Sequence, residues 1–137
     1  MEGLKCNEQS LMRFNELDSP FTEEEIKNGI KKLKNKKAAG TDRIRNEMLK
    51  SGRHFLMTSL KKLFSLILEA GTFPDCWSMG LITPIFKSGE KSNPTNYRGI
   101  CVTSCLGKLF TALLNTKLHN FVRSQNLLHP SQIGFLQ

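Results

Sequence analysis

Two cations at the mouth of a hairpin are the residues whose types and spacing first suggest chemistry. An apolar run, Leu81-Ile82-Thr83-Pro84-Ile85-Phe86, ends on Lys87. A polar loop from Ser88 to Thr95 follows, and Asn96-Tyr97-Arg98-Gly99-Ile100 opens a second apolar run. Cations on opposite arms of a hairpin can clamp a triphosphate from one side. Arginine offers a planar fork matched to phosphate oxygens, and lysine a mobile point charge. Two solvated cations at strand ends are the plainer alternative.

Other residues carry weaker signals. Lysines crowd positions 31 to 37, where Lys36 and Lys37 can touch a nucleic-acid backbone or simply answer a helix dipole. Asp42 after Gly40 suits either a ligand-facing loop or an Asx turn. Gly107-Lys108 is no phosphate loop, because Val102 stands where the earlier glycine is required and Leu109 follows the lysine. Cys6, Cys76, Cys101 and Cys105 form no C-x-x-C pair, and the histidines stand apart from them. Zinc spacing is therefore absent, and buried free thiols in a reducing compartment are expected. No Asp or Glu occurs after Glu90.

The 137 residues suit one modest domain. Apolar and charged fractions of 39 % and 23 % are ordinary for a globular chain. A formal charge of +8 is less so. It favours polyanionic partners, with plain solubility as the alternative. The acids gather in the first twenty-five positions, so the basic character belongs to the body of the domain. The start is too polar for a signal peptide, and Leu60 to Ala70 is too short and too interrupted to span a membrane. The expectation is a soluble intracellular chain.

The elements that must position these residues follow from periodicity and capping. Residues 1–20 lack clear periodicity and read as a lead-in. Thr22 with Glu25 makes a capping box, and Phe21 with Ile26 occupies the staple positions. Ile26, Ile30 and Leu33 continue a helix for which Gly40 is a plausible stop. A short helix is expected around Ile44 to Leu49. A longer one is expected from Phe55 to Glu69, ended at Ala70-Gly71. Trp77 is expected in the core. Strands are expected over 79–86 and 97–103, the first at a sheet edge because Pro84 lacks a ladder donor. Ser104 can cap a last helix over 106–122. Its stripe of Leu109, Phe110, Leu113, Leu114 and Phe121 is expected to face water in part.

Four blocks carry a family resemblance. They are Lys37-Ala38-Ala39-Gly40-Thr41-Asp42 with Ile44 and Glu47; Gly71 through Pro74 to Trp77; Ile82 to Gly89 with Asn96-Tyr97-Arg98-Gly99-Ile100 and Lys108-Leu109-Phe110; and Gln132-Ile133-Gly134-Phe135. In this order and spacing the chain resembles the reverse transcriptases of non-LTR, LINE-type retrotransposons, over about residues 21–135.

The resemblance implies an α/β (α+β) fold: a helix-rich fingers subdomain of a right-hand polymerase, with a β-hairpin, truncated before the catalytic palm. It implies a lead-in at 1–20 and a partial reverse transcriptase domain at 21–137. Lys87 and Arg98 match positions that contact the phosphates of the incoming nucleotide. Gly40 and Asp42, with Lys36 and Lys37, match the template side. Arg43 departs from the small residue often found after that aspartate. The implied partners are an RNA or DNA template–primer, a deoxynucleoside triphosphate and the missing palm. No cofactor is expected in this chain, since the Mg²⁺ of the family's two-metal chemistry belongs to carboxylates of the complete polymerase. The chain alone is expected to be inactive. A free-standing basic nucleic-acid-binding module is the alternative.

Overall fold

The reason the first long helix starts where it does is visible in its cap. In the computed structural model, which describes residues 14–127, Thr22 Oγ1 accepts from Glu25 N at 3.2 Å, and Glu25 Oε2 accepts from Thr22 N at 2.7 Å. The capping box is thus reciprocal, and α2 runs Glu23–Lys32. A single turn, α1 (Asn15–Asp18), precedes it. The Gln132–Phe135 block and most of the lead-in lie outside the described residues.

After α2 the order is α3 (Asn46–Ser51), α4 (Arg53–Ala70), α5 (Asp75–Ser78), β1 (Gly80–Phe86), β2 (Tyr97–Thr103) and α6 (Cys105–Ser124). Gly71 takes φ +64°, the left-handed conformation that ends α4. The fold is α+β: helices around one core, with a two-stranded antiparallel sheet.

The core is an aromatic cluster centred on Phe110. Its ring lies 5.5 Å from Phe64, 5.8 Å from Phe21, 6.0 Å from Trp77 and 6.2 Å from Phe73, centroid to centroid. Edge and tilted contacts of this kind add to the area each ring buries. Ile26 and Ile30 of α2, and Leu109 and Leu113 of α6, complete the core. The α2–α6 approach is close: a Cβ at Gly29 would sit 2.9 Å from both Leu109 and Leu113 side chains.

One expectation holds in part and another needs correction. The α6 stripe faces water at Leu114 and Phe121, which are half-buried, while Leu109, Phe110 and Leu113 are buried under α2 and Trp77. Gly40 is not the stop of α2. That helix ends at Lys32, with Leu33 N donating to Ile30 O, and residues 33–41 form a loop.

Exposed apolar residues run along the hairpin and also occur on the helices, among them Phe55 and Leu66 of α4 and Leu118 of α6. Every residue of β1 is exposed, including Leu81, Ile82, Ile85 and Phe86. Pro84 sits on a strand with only one neighbour, as a residue without an N–H donor must.

Core and cap should separate by magnitude. Phe110→Ala should cost about 3–5 kcal/mol, the range for aromatic truncation in a core, and Thr22→Ala about 1 kcal/mol, the loss of an N-cap. Urea unfolding checks both. Equal costs would mean that Phe110 is not the centre of the core.

Candidate nucleic-acid interface

The hairpin's register decides which side chains share a face. Ile85 pairs with Arg98 and Phe86 with Tyr97, and Lys87 N continues the ladder by donating to Asn96 O at 2.8 Å. Residues opposite each other, and residues two apart, lie on one face. Lys87 and Arg98 therefore share a face with Leu81, Thr83, Ile85, Ile100 and Val102. The opposite face holds Phe86 and Tyr97, whose rings pack at 5.4 Å, with Ile82, Cys101 and Thr103 beside Gly80, Pro84 and Gly99.

The hairpin's tip is built rather than loose. Asn93 Oδ1 accepts from Thr95 N at 3.0 Å, Asn96 Nδ2 donates to Glu90 O at 2.9 Å, and Tyr97 Oη donates to Lys91 O at 3.0 Å. Gly89, at φ +93°, comes so close to Asn96 that a Cβ would meet its Nδ2 at 2.6 Å. These contacts fix the ends of both arms, and with them the backbone that carries Lys87 and Arg98.

The cationic face overlooks a groove of about 360 Å³. Thr83, Ile85, Ile100 and Val102 form its hairpin wall, and Lys37, Ala38, Asn46, Cys105 and Lys108 line the side of the helical body. Lys37 and Lys108 have no carboxylate partner within ion-pair distance among the described residues.

The lysine loop on the body's side is held by α3. Asn46 Nδ2 donates to Lys34 O at 2.6 Å, Lys50 Nζ donates to Asn35 Oδ1 at 2.7 Å, and Glu47 Oε1 accepts from Lys36 N at 2.5 Å. Lys36 adopts φ +58° to make this path. Lys36 and Lys37 therefore project from a positioned loop, not from a fraying helix end. Sequence reasoning missed Asn46 and Lys50 in this role, since bonds 12 and 15 residues apart leave no local pattern.

Gly40 and Asp42 have structural tasks. A Cβ at Gly40 would lie 2.7 Å from the Thr103 carbonyl carbon and 2.8 Å from Ser104 N, so the loop packs directly on the β2–α6 backbone. Asp42 Oδ1 accepts from Ile44 N at 3.0 Å in an Asx turn, and Oδ2 accepts from Ser104 Oγ at 2.6 Å. Arg43 follows at φ +56°, a conformation that costs a residue with a Cβ. That strain gives physical content to its departure from the small residue expected there.

Two titratable groups sit at this junction. Burial first, then the Asp42 charge, pushes the Cys105 thiol above its ordinary 9.0. It stays protonated and donates to Asn46 Oδ1. The Lys36 N–H holds the Glu47 carboxyl below its ordinary 4.5, helped by Glu47's own N–H, Arg45 and Lys50, against the opposing effect of burial. Its Oε2 is shut from solvent without a hydrogen-bond partner among the described residues.

Among the described residues, no group of three or more His, Cys, Asp or Glu side chains is placed to hold a metal ion. The residues present do not fit a catalytic metal pair, and Asp42 has both oxygens engaged. Among the same residues no helix is long and apolar enough to cross a membrane.

Comparison with known proteins places the chain. It is 34 % identical over 119 residues to a probable RNA-directed DNA polymerase from transposon BS of Drosophila melanogaster, covering 86 % of this chain and 13 % of that protein. It is 29 % identical over 118 residues to a probable RNA-directed DNA polymerase from transposon X-element of the same fly, covering 85 % of this chain and 13 % of that protein. A type-1 retrotransposable element R2 polyprotein of Popillia japonica is 32 % identical over 117 residues, 85 % of this chain and 15 % of its own length. The chain thus spans only about 13 % of the length of the first two of these relatives. No protein-family model matches it.

The Glu47 contact has a pH signature. A carboxyl whose folded pKa is depressed contributes stability that is present above its unfolded value and lost as pH falls through the folded one. Wild type should therefore exceed Glu47→Gln in melting temperature at neutral pH, and the gap should close below about pH 4.5. A gap that stays constant on acidification would show that the charge plays no part.

Proposed function

We propose that this chain, a relative of the RNA-directed DNA polymerases of non-LTR retrotransposons, supplies the fingers subdomain of such a polymerase. In this reading Lys87 and Arg98 hold the phosphates of an incoming deoxynucleoside triphosphate. Gly40, Asp42, Lys36 and Lys37 form the template side of an RNA or DNA template–primer. The observation that carries it is the register. Lys87 and Arg98 stand on one hairpin face, one pleat apart, and that face overlooks the body's lysines. Gly40 and Asp42 act on the template by shaping the loop that presents Lys36 and Lys37, since their own atoms are engaged in packing.

The chemistry of chain extension needs paired carboxylates, which position metal ions at the attacking and leaving oxygens. This chain carries no Asp or Glu after Glu90, so it holds substrate and leaves the reaction to a palm. A specific observation favours a second reading. The centre of the α6 stripe, Leu109, Phe110 and Leu113, is already covered by the chain's own helices, as in a self-sufficient basic nucleic-acid-binding module.

Titration with a triphosphate separates the readings. Lys87→Ala and Arg98→Ala should each weaken triphosphate binding about tenfold, roughly 1.4 kcal/mol, close to the lower end for one charge-assisted hydrogen bond. Binding of single strands with no measurable triphosphate affinity would favour the second reading. In both cases the purified chain with primer–template, Mg²⁺ and nucleotides should extend nothing. Extension that survives repurification would overturn the absence of a catalytic site.

A further inference from the structure

Lys117 of α6 is buried, at 8 % exposed, and has no carboxylate within ion-pair distance among the described residues. Its ammonium donates instead to the carbonyl of Ser19 and to the Ser19 hydroxyl, the latter at 2.9 Å, and lies 4.8 Å from the centre of the Phe21 ring. We propose that residues 14–20 are a latched strap. They open from α6 as a unit while the rest of the fold stays intact, and the Lys117 ammonium is the latch. The inference is independent of the hairpin reading.

The fold is complete without the strap. Phe21 packs edge-on against Phe64 and Phe110, and the Thr22 capping box starts α2 at the next residue. Among the described residues, none of the buried core lies before Phe21. Within the strap, α1 is a single turn in which Leu17 N and Asp18 N both donate to Phe14 O. Ser19 Oγ closes it by donating to Glu16 O at 3.2 Å. One turn does not persist in water by itself, because it fixes several residues for few bonds. Its docked form therefore depends on what ties it to α6: the Lys117 bonds at one end, and the Phe14 ring set edge-on to Phe121 at 5.1 Å at the other.

The open state leaves no stranded charge. Phe21 belongs to the core, so the cation–ring contact is present with the strap on or off, and water takes the place of Ser19 around Nζ. Segments held by few buried contacts open at a fraction of the cost of global unfolding. The consequence falls on α6. Leu114, Leu118 and Phe121 share one side of that helix by their spacing, and Leu118 is already 51 % exposed. Phe14 covers the far end of this row. Release of the strap lengthens the apolar row that meets water, so the latch sets how much of α6 is on offer.

The test uses the full chain, a glutamate-specific endoproteinase and amide hydrogen exchange. In wild type the amides of Leu17 and Asp18 should exchange about tenfold or more faster than those of Ile26 and Ile30, as a separately opening segment requires. Lys117→Met keeps an aliphatic stem and removes the ammonium. It should speed cleavage after Glu16 about tenfold or more, near the lower end for one hydrogen bond to a charged group, and leave cleavage after Glu69 of α4 unchanged. Ser19→Ala removes one acceptor and keeps the carbonyl, so it should speed cleavage after Glu16 by a smaller factor; it carries the test if Lys117→Met fails to fold. Strap and α2 amides exchanging at one rate in wild type would show that the strap opens only with the whole fold and would overturn the latch. Equal acceleration at Glu16 and Glu69 in Lys117→Met, or no acceleration at Glu16 in either variant, would overturn it too.

Discussion

One hydroxyl holds the site together. Ser104 is fully buried, donates to Asp42 Oδ2 at 2.6 Å and accepts from Gly107 N at 3.2 Å. It sits where β2 ends and α6 begins, and it reaches a loop 62 residues earlier in the chain. A buried polar group without partners costs several times what the same bond contributes when made, so neither Asp42 nor the helix terminus tolerates its loss easily. Gly40 packs on the same backbone junction. The lysine loop, the hairpin's base and the start of α6 therefore share one fixed point. The face that carries Lys87 and Arg98 and the wall that carries Lys37 and Lys108 are both referenced to it.

The distribution of acids supports this arrangement. Glu23, Glu24 and Glu25 occupy the first turn of α2, where the helix dipole and the capping box engage them, and Lys27 takes Glu24 at 3.6 Å. Carboxylates nearer the groove are engaged by hydroxyl and amide donors. Asp42 and Glu47 keep their charges while accepting these bonds, and both act on the Cys105 thiol at the groove. The segment from Lys91 to Arg123 carries no acid of its own, and Asp42 meets it at Ser104.

What the sequence made legible was local. Thr22 with Glu25, Ser104 with its helix, and Gly71 after α4 each follow a rule that acts within four residues, and each is found as read. The two strands and their one-sided cations follow from alternation around a polar loop. The fate of residues 33–41 was not legible, because the bonds that pull this stretch away from helix come from α3, beyond any local window. Nor was the covering of Leu109 and Leu113, which depends on Gly29 letting α2 approach α6. Lys108 read as the polar face of a helix. Its place opposite Ile100 is a product of tertiary packing, which no periodicity records.

The exposure of β1 along its whole length has a mechanical consequence. A strand of seven residues extends about 23 Å at 3.3 Å per residue, so any change of angle at its base beside Ser104 would be amplified at the tip. A tilt of about ten degrees at that base carries the far end through roughly 4 Å, on the same strand length. The spacing between the hairpin cations and the body cations is therefore set by the angle at which the hairpin leaves the body.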